Sequence, residues 1–147
     1  MQNISFDDGF REFTINNDVN RVIRFNPSDF SILERFNTAM KEIENAYNKI
    51  DKDVELNTDG SPVENLDEYV EIIKKVNMLI NEQVDYIFGS NVSAIAFGNQ
   101  SPLSTVKGVP LFERFIRAAQ AYIEKEVIAE QKASQKRIEK YTKVYHK

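Results

Sequence analysis

Cysteine and tryptophan are both absent from this sequence of 147 residues, which has a single histidine. The lack of cysteine excludes disulfide bonds, thiolate zinc sites and a cysteine nucleophile. The histidine, His146, stands beside the end of the sequence, so we do not expect a Ser–His–Asp triad built on a core histidine. These absences predict a protein that is not an enzyme and that binds no cofactor or metal.

Glycine and proline are also scarce, at 5 and 4 residues, and no apolar run approaches the roughly 18 residues of a membrane span. Residues 1–13 do not combine a basic region with an apolar segment, so we expect no signal peptide. Hydrophobic residues make up 41% of the chain and charged residues 29%, which is typical of a folded domain. We expect one soluble, intracellular domain.

Charge is unevenly distributed along the chain. Residues 124–147 contain seven of the 19 basic and four of the 23 acidic residues, a net charge of +3, whereas the remainder has a net charge of −7. This difference in net charge favours a main acidic domain followed by a separate basic segment.

The first regular pattern predicts a β-hairpin arm within residues 1–26. Phe13 and Ile15 alternate with polar residues, as do Ile23 and Phe25. The asparagines between the two runs tolerate the positive φ of a tight turn. Because an isolated hairpin is only marginally stable, its apolar face should pack on the chain's own helices or on another subunit.

Helical periodicity follows and predicts a bundle core over residues 27–123. Asn26 and Pro27 are typical of a helix start, so the first helix is expected over about 27–51. Apolar residues at alternating steps of three and four form its predicted seam. The seam residues are Leu33, Phe36, Met40, Ile43, Tyr47 and Ile50.

Three further helices are predicted. The second begins at the cap residue Asn65 and ends at Gly89, and its stripe includes Val76, Ile80 and Val84. A short helix should be capped by Ser90 and closed by Gly98. After a loop, Pro110 opens a last helix of about 35 residues, since no helix breaker occurs from Leu111 onward.

An acidic segment, residues 51–65, joins the first two of these helices and superficially suggests a calcium loop. If Gly60 occupies the sixth position of an EF-hand loop, the twelfth position is Leu66 instead of the required glutamate. We therefore favour a solvated loop over a metal site. A metal-dependent enzyme that uses this loop is the least favoured of three functional hypotheses.

Residues 124–147 are predicted to form an amphipathic helical tail with a basic strip on one side. Its nearly opposite side is a stripe consisting of Val127, Ile138, Tyr141 and Tyr145, together with Ile123 of the bundle core. A helix of about 35 residues spans roughly 50 Å, which exceeds the ~30 Å length of a compact bundle. Part of it should therefore overhang or fold back. We favour an interaction surface over the fold-back.

Binding of nucleic acid or membrane by the tail is not expected. A net charge of +3 with interleaved glutamates attracts phosphate weakly. The apolar stripe is thin and lacks tryptophan, unlike helices that lie on membranes.

Two Phe-Gly pairs, Phe88-Gly89 and Phe97-Gly98, end a long and a short helical segment before an aromatic-rich helix at Leu111-Phe112. With the short N-terminal strands, this resembles the small tail assembly chaperones of long-tailed (siphovirus-type) bacteriophages and prophages of Gram-positive bacteria, over roughly residues 10–123. The resemblance implies a small, mainly helical, acidic, non-enzymatic protein. It also implies that the protein binds the helical tape-measure protein in the host cytoplasm before tail-tube assembly.

The sequence therefore predicts a mainly α fold, a small helical bundle with an N-terminal β-hairpin and a long C-terminal helix. The favoured function is that of a tail assembly chaperone, and the alternative is a self-associating helical structural or adaptor subunit. A homo-oligomer is expected in either case. The predicted partner-binding residues are Val127, Ile138, Tyr141, Tyr145, Phe13 and Phe25.

Overall fold

The computed structural model describes residues 1–53 and 66–145 and shows a mainly helical chain, as predicted. The helices are α1 (Ser31–Asp53), α2 (Leu66–Phe88), α3 (Val92–Phe97) and α4 (Leu111–Tyr145). The strands β1 (Arg11–Ile15) and β2 (Asp18–Phe25) form an N-terminal antiparallel hairpin, and β3 (Thr105–Val106) and β4 (Val109–Pro110) form a second one. The cap residue Asn65 and most of the acidic segment lie outside the described residues.

The N-terminal hairpin turns at Asn16 and Asn17, which both have the positive φ that the sequence predicted. Phe13 pairs with Ile23, and the register shifts at Ile15. The hairpin packs on the chain's own helices, since the Phe25 ring lies 5.2 Å from that of Phe88.

Helix α1 begins at Ser31, later than the predicted residue 27. The side chain of Asn26 accepts a hydrogen bond from the Ser28 amide at 2.9 Å, and that of Asp29 accepts one from the Ser31 amide at 2.9 Å. These local turns compete with the helix, so Asp29 stands at its actual start.

The buried seam of α1 agrees with the predicted one at four of its six residues, since Ile43 is buried and Phe36, Met40 and Ile50 pack partly buried against the core. Ile32, Ala39 and Ile43 are buried, whereas Leu33 and Tyr47 are exposed. This seam faces α2, whose Val76, Ile80 and Val84 are buried as predicted. Ala39 was missed because a small side chain gives no hydrophobic signal, although it lets two helices approach closely.

The connection from α2 to α3 differs from the predicted cap. Gly89, at a φ of 120°, ends α2 as expected. Asp85 of α2 then accepts hydrogen bonds from the amide and hydroxyl of Ser93, at 2.8 and 3.1 Å. Asp85, eight residues before Ser93 and on the preceding helix, thus takes the place of the predicted cap Ser90.

The segment before α4, predicted as a loop, contains the β3–β4 hairpin. Lys107 and Gly108 both have positive φ and form its turn. The Leu111 amide donates a hydrogen bond to the Ser104 carbonyl at 2.7 Å, which closes the hairpin against the start of α4.

Helix α4 is continuous from Leu111 to Tyr145. Phe112, Ile116 and Ile123 are buried, and Val127 is half-buried against the core. Every residue from 128 to 140 is exposed. Core contacts thus extend past the predicted boundary at residue 123, and residues 128–140 do not fold back on the bundle.

Candidate interaction surfaces

The exposed part of α4, residues 128–140, is the first candidate surface, and we call it the α4 projection. Ile138 has 61% of its surface exposed. It stands 15 positions after Ile123, so a regular helix places the two residues only about 60° apart around its axis. The face that buries Ile123 in the core therefore continues into the projection, where nothing in the described residues covers it.

Ile138 and Val127, two of the predicted tail residues, differ in how exposed they are. Ile138 is exposed on the projection, whereas Val127 packs partly against the core and is only half available to a partner. Tyr141 and Tyr145 belong to α4. Their side chains lie outside the described residues, so their part in the stripe stays a prediction.

Charge separates the body from the tail. Residues 1–127 contain 13 basic and 21 acidic residues, a net charge of −8, whereas residues 128–147 contain six and two, a net charge of +4. A partner that contacts both regions would meet opposite potentials.

A groove between the N-terminal hairpin and α4 is the second candidate surface, and we call it the hairpin groove. Its volume is about 320 Å³. The Phe13 ring stacks on that of Phe25 at 4.6 Å and meets that of Tyr122 edge-on at 4.9 Å. Among the described residues that line the groove, Arg114 alone is charged.

The two predicted partner-binding residues of the hairpin, Phe13 and Phe25, both line the groove. Phe25 is only 4% exposed, and its ring is enclosed by those of Phe13 and Phe88, so it offers a partner little of its surface. It still lines the groove, and its part in partner binding stays a prediction. Phe13 is half-buried and lines the groove.

Arg114 is held at the wall of the groove by backbone carbonyls. Its Nε donates to the Val109 carbonyl at 3.3 Å, and its Nη2 donates to the Ser104 carbonyl at 3.4 Å. These contacts place a fixed positive charge beside an apolar surface.

Residues 1–10, which we call the N-terminal segment, form no helix or strand and carry exposed apolar side chains. Ile4 is 87% exposed and Phe6 76% exposed. The segment is anchored at its end, where the side-chain amide of Asn26 donates to the Asp8 carbonyl at 3.2 Å. Its apolar residues were not singled out from the sequence, although their spacing of two was a usable signal.

Gly9 and Asp7 lie beside the hydrogen bond that anchors the segment. Gly9 has a φ of +84°, and a Cβ there would lie 2.5 Å from the side chain of Asn26. Asp7 pairs with Arg11 at 3.1 Å, and this hydrogen bond lowers the pKa of the carboxyl group.

In the described part of the chain, no group of three or more acidic or histidine side chains is arranged to hold a metal ion. Most of the acidic segment lies outside that part. None of the helices in residues 1–53 and 66–145 is long and apolar enough to cross a membrane.

A model of the family of unknown function DUF6673 matches residues 17–147. The chain belongs to this family. The matched range includes β2, all four helices and the α4 projection, whereas β1 and the N-terminal segment precede it. No curated protein and no solved structure matches the chain.

Proposed function

We propose that this protein is a non-enzymatic tail assembly chaperone of a long-tailed bacteriophage or prophage. It binds the helical tape-measure protein in the bacterial host cytoplasm before the tail tube assembles. The observation that carries this proposal is the α4 projection, a continuous exposed helix whose core-facing side continues beyond the core. The resemblance at the two Phe-Gly pairs supplies the identity of the client.

The projection suits a helical client for a simple physical reason. A tape-measure chain exposes long apolar stripes until the tube encloses it, and such stripes bind other apolar helix faces. From residue 128 to residue 145 the helix rises about 26 Å, or nearly five turns, which gives room for side-by-side packing.

Charge also supports this role. The basic projection attracts acidic stretches of a client, whereas the acidic body keeps the complex soluble through its net negative charge. The body therefore keeps the complex in solution while the projection binds the client.

A self-associating helical structural or adaptor subunit is the alternative. A second copy covers the exposed side of the α4 projection at Ile138 as well as a client does. Titration with purified tape-measure protein separates the two functions, because only the chaperone has to bind it.

The test of the proposed function is the Ile138→Ser substitution. Because Ile138 is exposed, the variant should fold normally and yet bind purified tape-measure protein about tenfold or more weakly, as expected for the loss of one buried aliphatic side chain. Affinity is measured by titration of the purified proteins.

The matched control is Met78→Ser, which removes an equally exposed apolar side chain from α2 and should leave affinity unchanged. If wild-type protein does not bind tape-measure protein, the chaperone function is wrong. If Ile138→Ser binds as tightly as wild type, the client binds elsewhere.

A further inference from the structure

One edge of the N-terminal hairpin borders the hairpin groove. Four consecutive residues, Phe13–Asn16, line the groove, whereas β2 contributes only Ile23 and Phe25. Phe13 and Thr14 belong to the regularly paired part of β1, where consecutive side chains point to opposite faces, so a groove that both residues line runs along the strand's edge. Within the described residues β1 pairs only with β2, which leaves the backbone groups of its other edge open.

The N-terminal segment has the sequence to fill such a groove. In an extended chain, Ile4, Phe6 and Asp8 point to the same side. Two exposed apolar side chains are thus followed by a carboxylate on one face. The groove offers the matching surface, an apolar floor with Arg114 as its charged lining residue.

The segment does not occupy the groove of its own chain. Its end is fixed at Asn26, and the exposure of Ile4 and Phe6 shows that it leads into solvent. The chain therefore exposes both an open apolar groove and an apolar segment that fits it, and a second copy brings the two together.

We propose that the N-terminal segment of one copy adds as a third strand to β1 of a second copy and inserts Ile4 and Phe6 into its hairpin groove. Backbone hydrogen bonds along the open edge supply affinity, and the alternate side chains supply specificity, as in other cases of strand addition. Asp8, on the same side of the strand as Ile4 and Phe6, faces the positive Arg114. This association does not depend on the proposed client.

Phe6→Ser tests the donor side of the interface. Wild-type protein should self-associate in sedimentation velocity at micromolar concentration, and Phe6→Ser should weaken that association at least about tenfold. Val19→Ser removes another exposed apolar residue of the same region and should have no effect.

Ala118→Trp tests the acceptor side, because Ala118 lines the groove and a large ring there occupies the space of Phe6. Ala121→Trp is the matched control on the same helix, at an exposed position that does not line the groove. The first substitution should abolish association and the second should not, while circular dichroism verifies that both variants are folded.

Mixing provides the decisive result. The Phe6→Ser variant keeps an intact groove and Ala118→Trp keeps an intact segment, so an equimolar mixture should associate more tightly than either variant does alone. A monomeric wild type, undiminished association of Phe6→Ser, or a mixture that stays monomeric would each overturn the proposal. Ile138→Ser should leave this association unchanged, which separates it from client binding.

Discussion

At the scale of single residues, several charged side chains fix the ends of helices. Arg35 donates from Nε to the carbonyl of Ile87 at the end of α2, at 3.2 Å. Arg21 donates to the carbonyls of Ile95 and Ala96 at the end of α3, at 3.1 and 2.6 Å. Cations at these positions satisfy unpaired carbonyls and interact favourably with the helix dipole. These charges serve the fold, so they are poor candidates for binding or catalysis.

Asp85→Ala should lower the free energy of unfolding by about 1–2 kcal/mol, because it removes the side-chain cap at the start of α3. Both acceptors of Asp85 are used by Ser93, which is buried. Urea unfolding measures the loss. Glu82→Ala, at an exposed position of the same helix, serves as the control. An equal effect of the two substitutions would show that the cap contributes nothing specific.

At the scale of elements, the buried face of α1 agrees only in part with the seam that its two-in-seven apolar pattern predicts. The predicted residues Ile43 and Leu33 belong to one stripe, yet Ile43 is 2% exposed and Leu33 is 48% exposed. Near its start the helix turns Ile32 toward the core and leaves Leu33 at the edge.

The two residues therefore form a matched pair. Ile43→Ala should lower the free energy of unfolding by about 2–5 kcal/mol, since it opens a cavity in the packed interface with α2. Leu33→Ala should cost less than about 1 kcal/mol, because half of that side chain is already in water. Chemical denaturation of both variants measures the difference. Similar losses would show that the α1 seam is not the one described.

At the scale of the whole molecule, α4 joins a packed body to an uncovered projection. The last contacts with the core are made by Ile123 and Val127. The chain is therefore longer than its body requires, and its final part has no structural role in the described residues of the bundle.

Deletion of residues 128–147 should change the free energy of unfolding by less than about 1 kcal/mol, because residues 128–140 make no buried contact. Deletion of residues 124–147 also removes Val127 and should cost about 1–2 kcal/mol more. Thermal and urea unfolding of the two truncated proteins measure this. If the shorter deletion already destabilises the bundle strongly, the projection belongs to the core.

Much of the fold was predictable because its signals are local. The asparagine turn, the stop at Gly89 and the uninterrupted helix after Pro110 each depend on neighbouring residues. The β3–β4 hairpin was missed because its strands have only two residues each, too few for an alternating pattern. The cap of α3 was missed because Asp85 reaches it from another helix.

The candidate surfaces also depend partly on local sequence and partly on tertiary contacts. The sequence by itself determined that the end of α4 is an amphipathic helix, since periodicity and charge are properties of consecutive residues. Only the tertiary structure decided that Phe25 is enclosed while Ile138 is exposed, because burial depends on which elements happen to lie opposite a side chain. For the same reason, the groove between β1 and α4 exists only once residues about a hundred positions apart are brought together.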